Sequence, residues 1–204
     1  MRCIKERYEH LIEINKSKFY GIIYPISSVD EAKDYIKEVQ KDYPKATHYC
    51  YAYRVNNLDK SNDDGEPSGT AGRPILECLK NNELENILCV VVRYFGGIKL
   101  GAGGLIRAYV DATKEALDVA NIYEVVEQDV YDITISYSHY EIVKNYLEKK
   151  EGQIIDTRFD VEVTITYSTL NFDEQEITNL VNGMAKILLK GQEKVYIRVD
   201  RKLR

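Results

Sequence analysis

Two glycine-rich segments, 63–74 and 93–107, constrain the fold of this chain more than any other feature of its sequence. They hold eight of the chain's 12 glycines, interleaved with charged residues of both signs. Glycine weakens regular structure and lets the backbone approach another group closely, so both segments are predicted to be tight loops. Two interpretations remain open at this point. The loops are either turns braced by salt bridges or the two halves of one surface site.

Hydrophobic patterning and turn residues indicate an α+β protein. In the first half, predicted strands lie at 11–14, 19–24, 47–55 and 86–94, and predicted helices begin at a Ser28/Glu31 capping box, near Pro74 and beyond Gly104. In the second half, predicted strands lie at 130–137, 153–159, 161–167 and 194–199, with helices near 140–147 and 173–182. Residues 121–128 are predicted to be a short linker. The order βαββαβ of the second half is that of a ferredoxin-like domain.

The second glycine-rich segment lies between a strand and a helix. It follows the most apolar run of the chain, 87–92, and leads into apolar residues at helical spacing from Leu105 to Ala120. Backbone N–H groups and the positive end of a helix dipole are therefore expected beside Lys99 and Arg107. Such a position suits an anion.

Three motifs of the chain resemble the IMPACT (YigZ-like) family. They are the strand HYCYAYR at 48–54, the run DDGEPSGTAGRP at 63–74 and the run RYFGGIKLGAGGLIRAY at 93–109. The resemblance is strong over residues 10–120 and looser over the rest of the chain. It is specific, because composition-biased runs of this length rarely arise by chance.

The resemblance implies an α+β fold of two domains. Residues 1–125 would form an α/β domain like a ribosomal protein and domain IV of elongation factor G, carrying both glycine-rich loops. Residues 126–204 would form the ferredoxin-like domain. The resemblance also implies a link to translation, because eukaryotic relatives regulate it through a protein partner, whereas the function of bacterial members is poorly defined.

The acidic residues of the first loop permit three interpretations. Asp63, Asp64 and Glu66 could hold a magnesium ion, because hard cations prefer clustered carboxylates. They could instead bond their own backbone in a turn. A third possibility is internal pairing with one of three arginines, which are Arg73, Arg93 and Arg107.

The basic and aromatic residues near the loops are candidate partner contacts. Arg73, Arg93, Lys99 and Arg107 are expected to meet phosphate or acidic groups. Tyr94 and Phe95 could stack on exposed bases, or one or both could pack into the core.

Composition restricts the function classes. With 33 acidic and 28 Lys and Arg residues, the net charge of −5 argues against indiscriminate nucleic-acid binding. No apolar run approaches the roughly 20 residues of a membrane helix, and the first residues lack a signal peptide. The four scattered cysteines predict buried reduced thiols rather than a metal site. A cytoplasmic protein without a cofactor, a metal or a membrane partner is expected, and its oligomeric state stays open.

Two functional hypotheses follow. The first is a non-enzymatic binding protein that acts on translation through structured RNA, the ribosome or a ribosome-associated protein. The second is an enzyme for a small phosphorylated or anionic substrate, with Asp63, Asp64 and Glu66 supplying metal or acid–base chemistry. The phosphate-binding P-loop, the dinucleotide fingerprint and the nucleophile elbow all fail to match the loops. No catalytic residue is therefore assigned.

Overall fold

The structure, a computed structural model, describes residues 1–199 and shows two compact units. The first comprises Met1–Glu124 with the described residues from Ile197 onward, and the second comprises Val125–Tyr196. Helices and antiparallel sheets occur in both units, so the predicted α+β class is confirmed. Three basic residues near the end of the sequence, Arg201, Lys202 and Arg204, lie outside the described range.

A five-stranded antiparallel sheet forms the centre of the first unit. The elements of this unit, in chain order, are β1 (Arg2–Cys3), β2 (Tyr8–Ile14), β3 (Ser17–Pro25), α1 (Val29–Asp42), β4 (His48–Val55), β5 (Leu58–Asn62), α2 (Gly72–Asn81), β6 (Ile87–Tyr94) and α3 (Gly101–Asp118). The strand order across the sheet is β2-β3-β6-β4-β5. The predicted cap of α1 is present, because the Ser28 hydroxyl accepts a hydrogen bond from the Glu31 N–H at 3.2 Å.

The central strand β6 is buried on both faces and divides the core of the first unit into two layers. Its odd-numbered residues from Ile87 to Val91 pack with α2 and α3, whereas its even-numbered residues from Leu88 to Val92 pack with α1. This two-sided burial explains its uninterrupted apolar sequence, because apolar and polar residues alternate only in a strand that has one solvent-exposed face. All four cysteines are buried and unpaired in this unit.

The second unit has the predicted βαββαβ order. Its elements are β7 (Tyr123–Ile135, which begins in the first unit), α4 (Tyr140–Leu147), β8 (Gly152–Phe159), β9 (Val163–Thr169), α5 (Glu174–Leu180) and β10 (Lys186–Arg198). The strand order is β10-β7-β9-β8, and β1 pairs with the first residues of β7. Helices α4 and α5 pack against the sheet through an apolar cluster that includes Val143, Leu147 and Ile177.

Two local predictions were wrong, and one strand was missed. The segment 121–128 is not a linker, because β7 begins at Tyr123 and its Tyr123 and Glu124 pair with Cys3 and Arg2. Strand β5 was not predicted. Helix α3 begins at Gly101 rather than beyond Gly104, so three glycines lie in its first turn. Packing of the helix against the sheet outweighs their low helix propensity there.

No helix within residues 1–199 is both long enough and apolar enough to cross a membrane.

Candidate functional site

The carboxylate of Asp63 organises the first glycine-rich loop. Its Oδ1 accepts hydrogen bonds from the N–H groups of Ala71 at 3.0 Å and Gly72 at 2.8 Å, and its Oδ2 accepts one from Gly69 at 2.8 Å. The first N–H groups of a helix have no partner within the helix, and α2 begins at Gly72. Asp63 therefore caps α2 from nine residues upstream.

This capping should make the stability of the protein sensitive to acid. Burial alone would raise the pKa of the Asp63 carboxyl, but the backbone donors outweigh it and hold the pKa below its ordinary value of 3.8. A folded-state pKa below the unfolded one gives stabilisation that is complete above the unfolded value and is lost as pH falls through the folded value. We expect the urea concentration at the unfolding midpoint to decrease as the pH is lowered from about 5 to 3. The decrease should be less steep in Asp63→Asn. Equal slopes in parent and variant, measured by circular dichroism, would contradict the assignment.

A buried ion pair connects the first loop to the sheet and to α3. The Glu66 side chain is 3% exposed, and its Oε1 accepts from Arg93 Nη1 at 2.5 Å and from the Tyr109 hydroxyl at 2.8 Å. Burial, together with the Cys50 thiol and the Glu66 carboxylate, raises the pKa of Tyr109, so the hydroxyl stays a donor. His48 Nε2 lies 3.9 Å from the other Glu66 oxygen. Of the three candidate arginines, Arg93 is the one that pairs with this loop.

The three acidic residues of the loop are arranged for internal hydrogen bonding. The Asp64 carboxylate accepts from the Tyr49 N–H at 2.6 Å, and the other two carboxylates are engaged as described above. Among residues 1–199, no group of three or more His, Cys, Asp or Glu side chains is placed to hold a metal ion. Their arrangement favours the structural interpretation of the loop over the magnesium site.

The start of α3 contrasts with the start of α2. Its N-cap residue, Leu100, has no side-chain capping bond, and no acidic residue lies in its first turn. Lys99 precedes it and Arg107 lies in its second turn, both exposed and neither in an ion pair with any residue of 1–199. An uncapped helix start with two unpaired cations carries a local positive field. This geometry is compatible with the anion site expected at this segment, which stays a prediction.

The two aromatic residues of the second loop differ in their surroundings. Tyr94 packs against Tyr20 at a ring distance of 6.0 Å, and its hydroxyl donates to the carbonyl of Pro44 at 3.2 Å. Phe95 is 45% exposed, and the Arg93 guanidinium lies 5.4 Å from its ring centroid. Phe95 is therefore the more accessible of the two stacking candidates.

Comparison with known proteins matches each half of the chain to a known domain family. The sequence profile of the Impact N-terminal domain matches residues 15–117, and that of a domain of unknown function, DUF1949, matches residues 133–182. The chain belongs to the IMPACT family. The Impact N-terminal match contains both glycine-rich loops and every candidate contact residue.

Relatives within the IMPACT family are similar over most of this chain. It is 37% identical to the IMPACT family member YvyE of Bacillus subtilis over 191 residues, which are 90% of this chain and 88% of that relative. It is 34% identical to YigZ of Escherichia coli over 158 residues, 75% of this chain and 78% of YigZ. A solved structure titled as a hypothetical protein aligns with a TM-score of 0.59 and 28% identity, covering 92% of this chain and 95% of that one.

The IMPACT domain also contains a groove between α2 and α3 that the sequence did not reveal. The groove has a volume of about 750 Å³, with Pro74, Ile106 and Val110 on its walls and the exposed cations Arg73 and Lys114 at its rim. Neither cation forms an ion pair within residues 1–199. Lys114 follows Arg107 by seven residues, which places both on one face of α3. This seven-residue spacing is the feature of the sequence that could have indicated a shared basic face on α3.

Proposed function

We propose that this protein is a non-enzymatic regulator of translation that binds structured RNA, the ribosome or a ribosome-associated protein. The observation that carries the proposal is the uncapped start of α3 with its unpaired, exposed Lys99 and Arg107. Arg73, at the start of α2, adds a third exposed cation to the same unit. The proposal places the protein in the cytoplasm, where ribosomes work.

Membership of the IMPACT family supports the translational part of the proposal. The family resemblance implies a link to the regulation of translation, through a protein partner in eukaryotic members, and a likeness of the first domain to elongation factor G. A fold by itself does not assign a function, so the exposed cations must supply the contacts. Arg93 is excluded from direct contact by its burial, since its side chain is only 6% exposed.

Charge distribution indicates that contact is local rather than spread over the protein. Whereas the rest of the chain has 20 acidic and 21 basic residues, residues 125–196 contain 13 acidic and seven basic residues, a net charge of −6. An RNA backbone is repelled by such a surface and attracted only where cations cluster. We therefore assign the contact to the first unit.

The enzyme hypothesis gains no support from the site. Its required carboxylates, Asp63, Asp64 and Glu66, accept hydrogen bonds from backbone N–H groups or from Arg93 and Tyr109. A carboxylate whose accepted hydrogen bonds hold the loop is a poor general base, because proton uptake would weaken those bonds.

Charge reversal at the start of α3 should abolish binding. Lys99→Glu/Arg107→Glu replaces two attractive contacts with repulsive ones, so we expect the variant to stay in the supernatant when it is co-sedimented with ribosomes and subunits at low salt. The parent should co-sediment, and its binding should weaken as salt rises, because phosphate contacts release counterions.

The matched control is Lys33→Glu/Lys37→Glu on α1, which makes the same charge change at exposed residues on the opposite face of the sheet. The control should bind like the parent. Equal loss in both double variants would indicate a general charge effect, and unaffected binding by a folded Lys99→Glu/Arg107→Glu protein would overturn the assignment. RNase treatment of the sedimented complex separates an RNA contact from a protein contact.

A further inference from the structure

The second unit contains a cavity of about 670 Å³ whose wall combines aromatic rings with carboxylates. Tyr131, Tyr146 and Phe172 contribute rings, and Asp129 and Glu176 contribute carboxylates. Concave sites of this size suit small organic ligands or single side chains. Aromatic faces carry negative partial charge, so rings and carboxylates on one wall both attract cations.

One ammonium group of the chain already occupies part of this wall. Lys150 Nζ lies 4.9 Å from the centroid of the Tyr146 ring and 2.7 Å from Glu176 Oε2. The Tyr146 hydroxyl donates to that same carboxylate oxygen. The pair is accessible, since the Lys150 and Glu176 side chains are 47% and 46% exposed. The protein thus holds an alkylammonium between a ring and a carboxylate at a place where solvent reaches it.

The rest of the wall supplies an apolar surface and further negative charge. The rings of Tyr131 and Phe172 stack at 3.9 Å and present an apolar surface beside Asp129. The Glu151 carboxylate on the wall is exposed and forms no ion pair within residues 1–199. Asp173 caps α5 through the N–H groups of Gln175 and Glu176 and is therefore committed to the fold. Among residues 1–199, Lys150 is the one basic residue that lines the cavity, beside four acidic residues.

We propose that this cavity binds an alkylammonium group on an aliphatic stem, supplied either by a free diamine or by a lysine side chain of a basic peptide. The ammonium takes the place of Lys150 against the Tyr146 ring and the Glu176 carboxylate. The stem lies on the stacked rings of Tyr131 and Phe172. Displacing Lys150 costs little, because an exposed ion pair contributes little to stability.

This site is independent of the proposed function. Its residues belong to the second unit, whereas the cations proposed to contact the translation machinery belong to the first. Either proposal can fail without the other.

The test is isothermal titration calorimetry of the whole protein with 1,5-diaminopentane, with a short lysine-containing peptide and with the uncharged analogue 1,5-pentanediol. We expect saturable binding of at least one amine and none of the diol. Glu176→Gln preserves the shape and removes the charge, so it should weaken amine binding about threefold to tenfold. Lys150→Met removes the internal competitor and should tighten binding by a similar factor.

Lys149→Met is the matched control. It makes the same charge change one residue away from Lys150, at an exposed position that does not line the cavity. Tightening confined to Lys150→Met supports displacement of the internal ammonium, whereas equal tightening in both variants means unspecific attraction and overturns the proposal. Absence of amine binding up to millimolar concentrations also overturns it. Binding of the diamine supports a free ligand, and binding of the peptide alone supports a partner's side chain.

Discussion

Arg93→Met should lower the free energy of unfolding by about 3–5 kcal/mol. The substitution fills similar space but leaves the Glu66 carboxylate buried at 3% exposure without its cation. The hydrogen bond from the Tyr109 hydroxyl remains, yet one neutral donor cannot replace a charged one for a buried anion. The change in urea midpoint, followed by far-ultraviolet circular dichroism at neutral pH, measures the effect.

A double variant distinguishes the lost charge balance from simple loss of packing. Glu66→Gln/Arg93→Met removes both charges and should recover part of the stability lost in Arg93→Met, because an uncompensated charge is no longer buried. Lys186→Met breaks the exposed pair between Lys186 and Glu162 and should leave the midpoint almost unchanged. A folded Arg93→Met protein as stable as the Lys186→Met protein would show that the buried pair does not hold the loop.

Gly21→Ala should be the second strongly destabilising change, costing about 3 kcal/mol. Gly21 lies in β3, and a methyl group there would come within 2.2 Å of the Ala112 carbonyl oxygen in α3. Backbone atoms of a packed helix cannot step aside as a flexible side chain can, so the whole helix must move away from the sheet. Urea unfolding of parent and variant gives the cost directly.

The same substitution elsewhere in the chain should have the opposite sign. Gly103 lies in the first turn of α3, and a methyl group there would meet no atom within 4 Å apart from its chain neighbours and the nearby backbone of the helix itself. Gly103→Ala should therefore stabilise the protein by about 0.5–1 kcal/mol, because alanine loses less backbone entropy on forming a helix. Equal effects at both positions would mean that α3 does not approach β3 as closely as the structure shows.

Local patterns in the sequence predicted the elements whose signals are local. The apolar run of β6, the Ser28 cap of α1 and the βαββαβ order could each be read from neighbouring residues. Strand β5 was missed because Leu58–Asn62 is almost entirely polar and lies at the sheet edge. A signal was present, since Asn56 and Asn57 have φ of 52° and 62° and form the two-residue turn that joins β4 to β5.

The site was predicted less completely than the fold because its contacts are distant in sequence. Glu66 was expected to pair with one of three arginines, but the choice of Arg93 depends on how β6 lies beside the loop. Tyr109 fell on the apolar face of a predicted helix, and nothing in the sequence could show that its hydroxyl reaches a carboxylate 43 residues away. Sequence patterns indicate on which face of a helix or strand a residue lies, whereas the partner of a buried polar group depends on tertiary packing.

The rate at which the buried cysteines are alkylated should report how often the surrounding parts of the first unit open. Only a thiolate reacts readily with iodoacetamide, and burial raises the pKa of Cys50 and Cys89 to about 12 and that of Cys78 to about 11. Labelling of the native protein at neutral pH must therefore wait until the surrounding element opens. Cys50, Cys89 and Cys78 lie in β4, β6 and α2, respectively. Mass spectrometry of the labelled peptides can therefore measure the opening rate of each of these three elements separately, without an engineered probe.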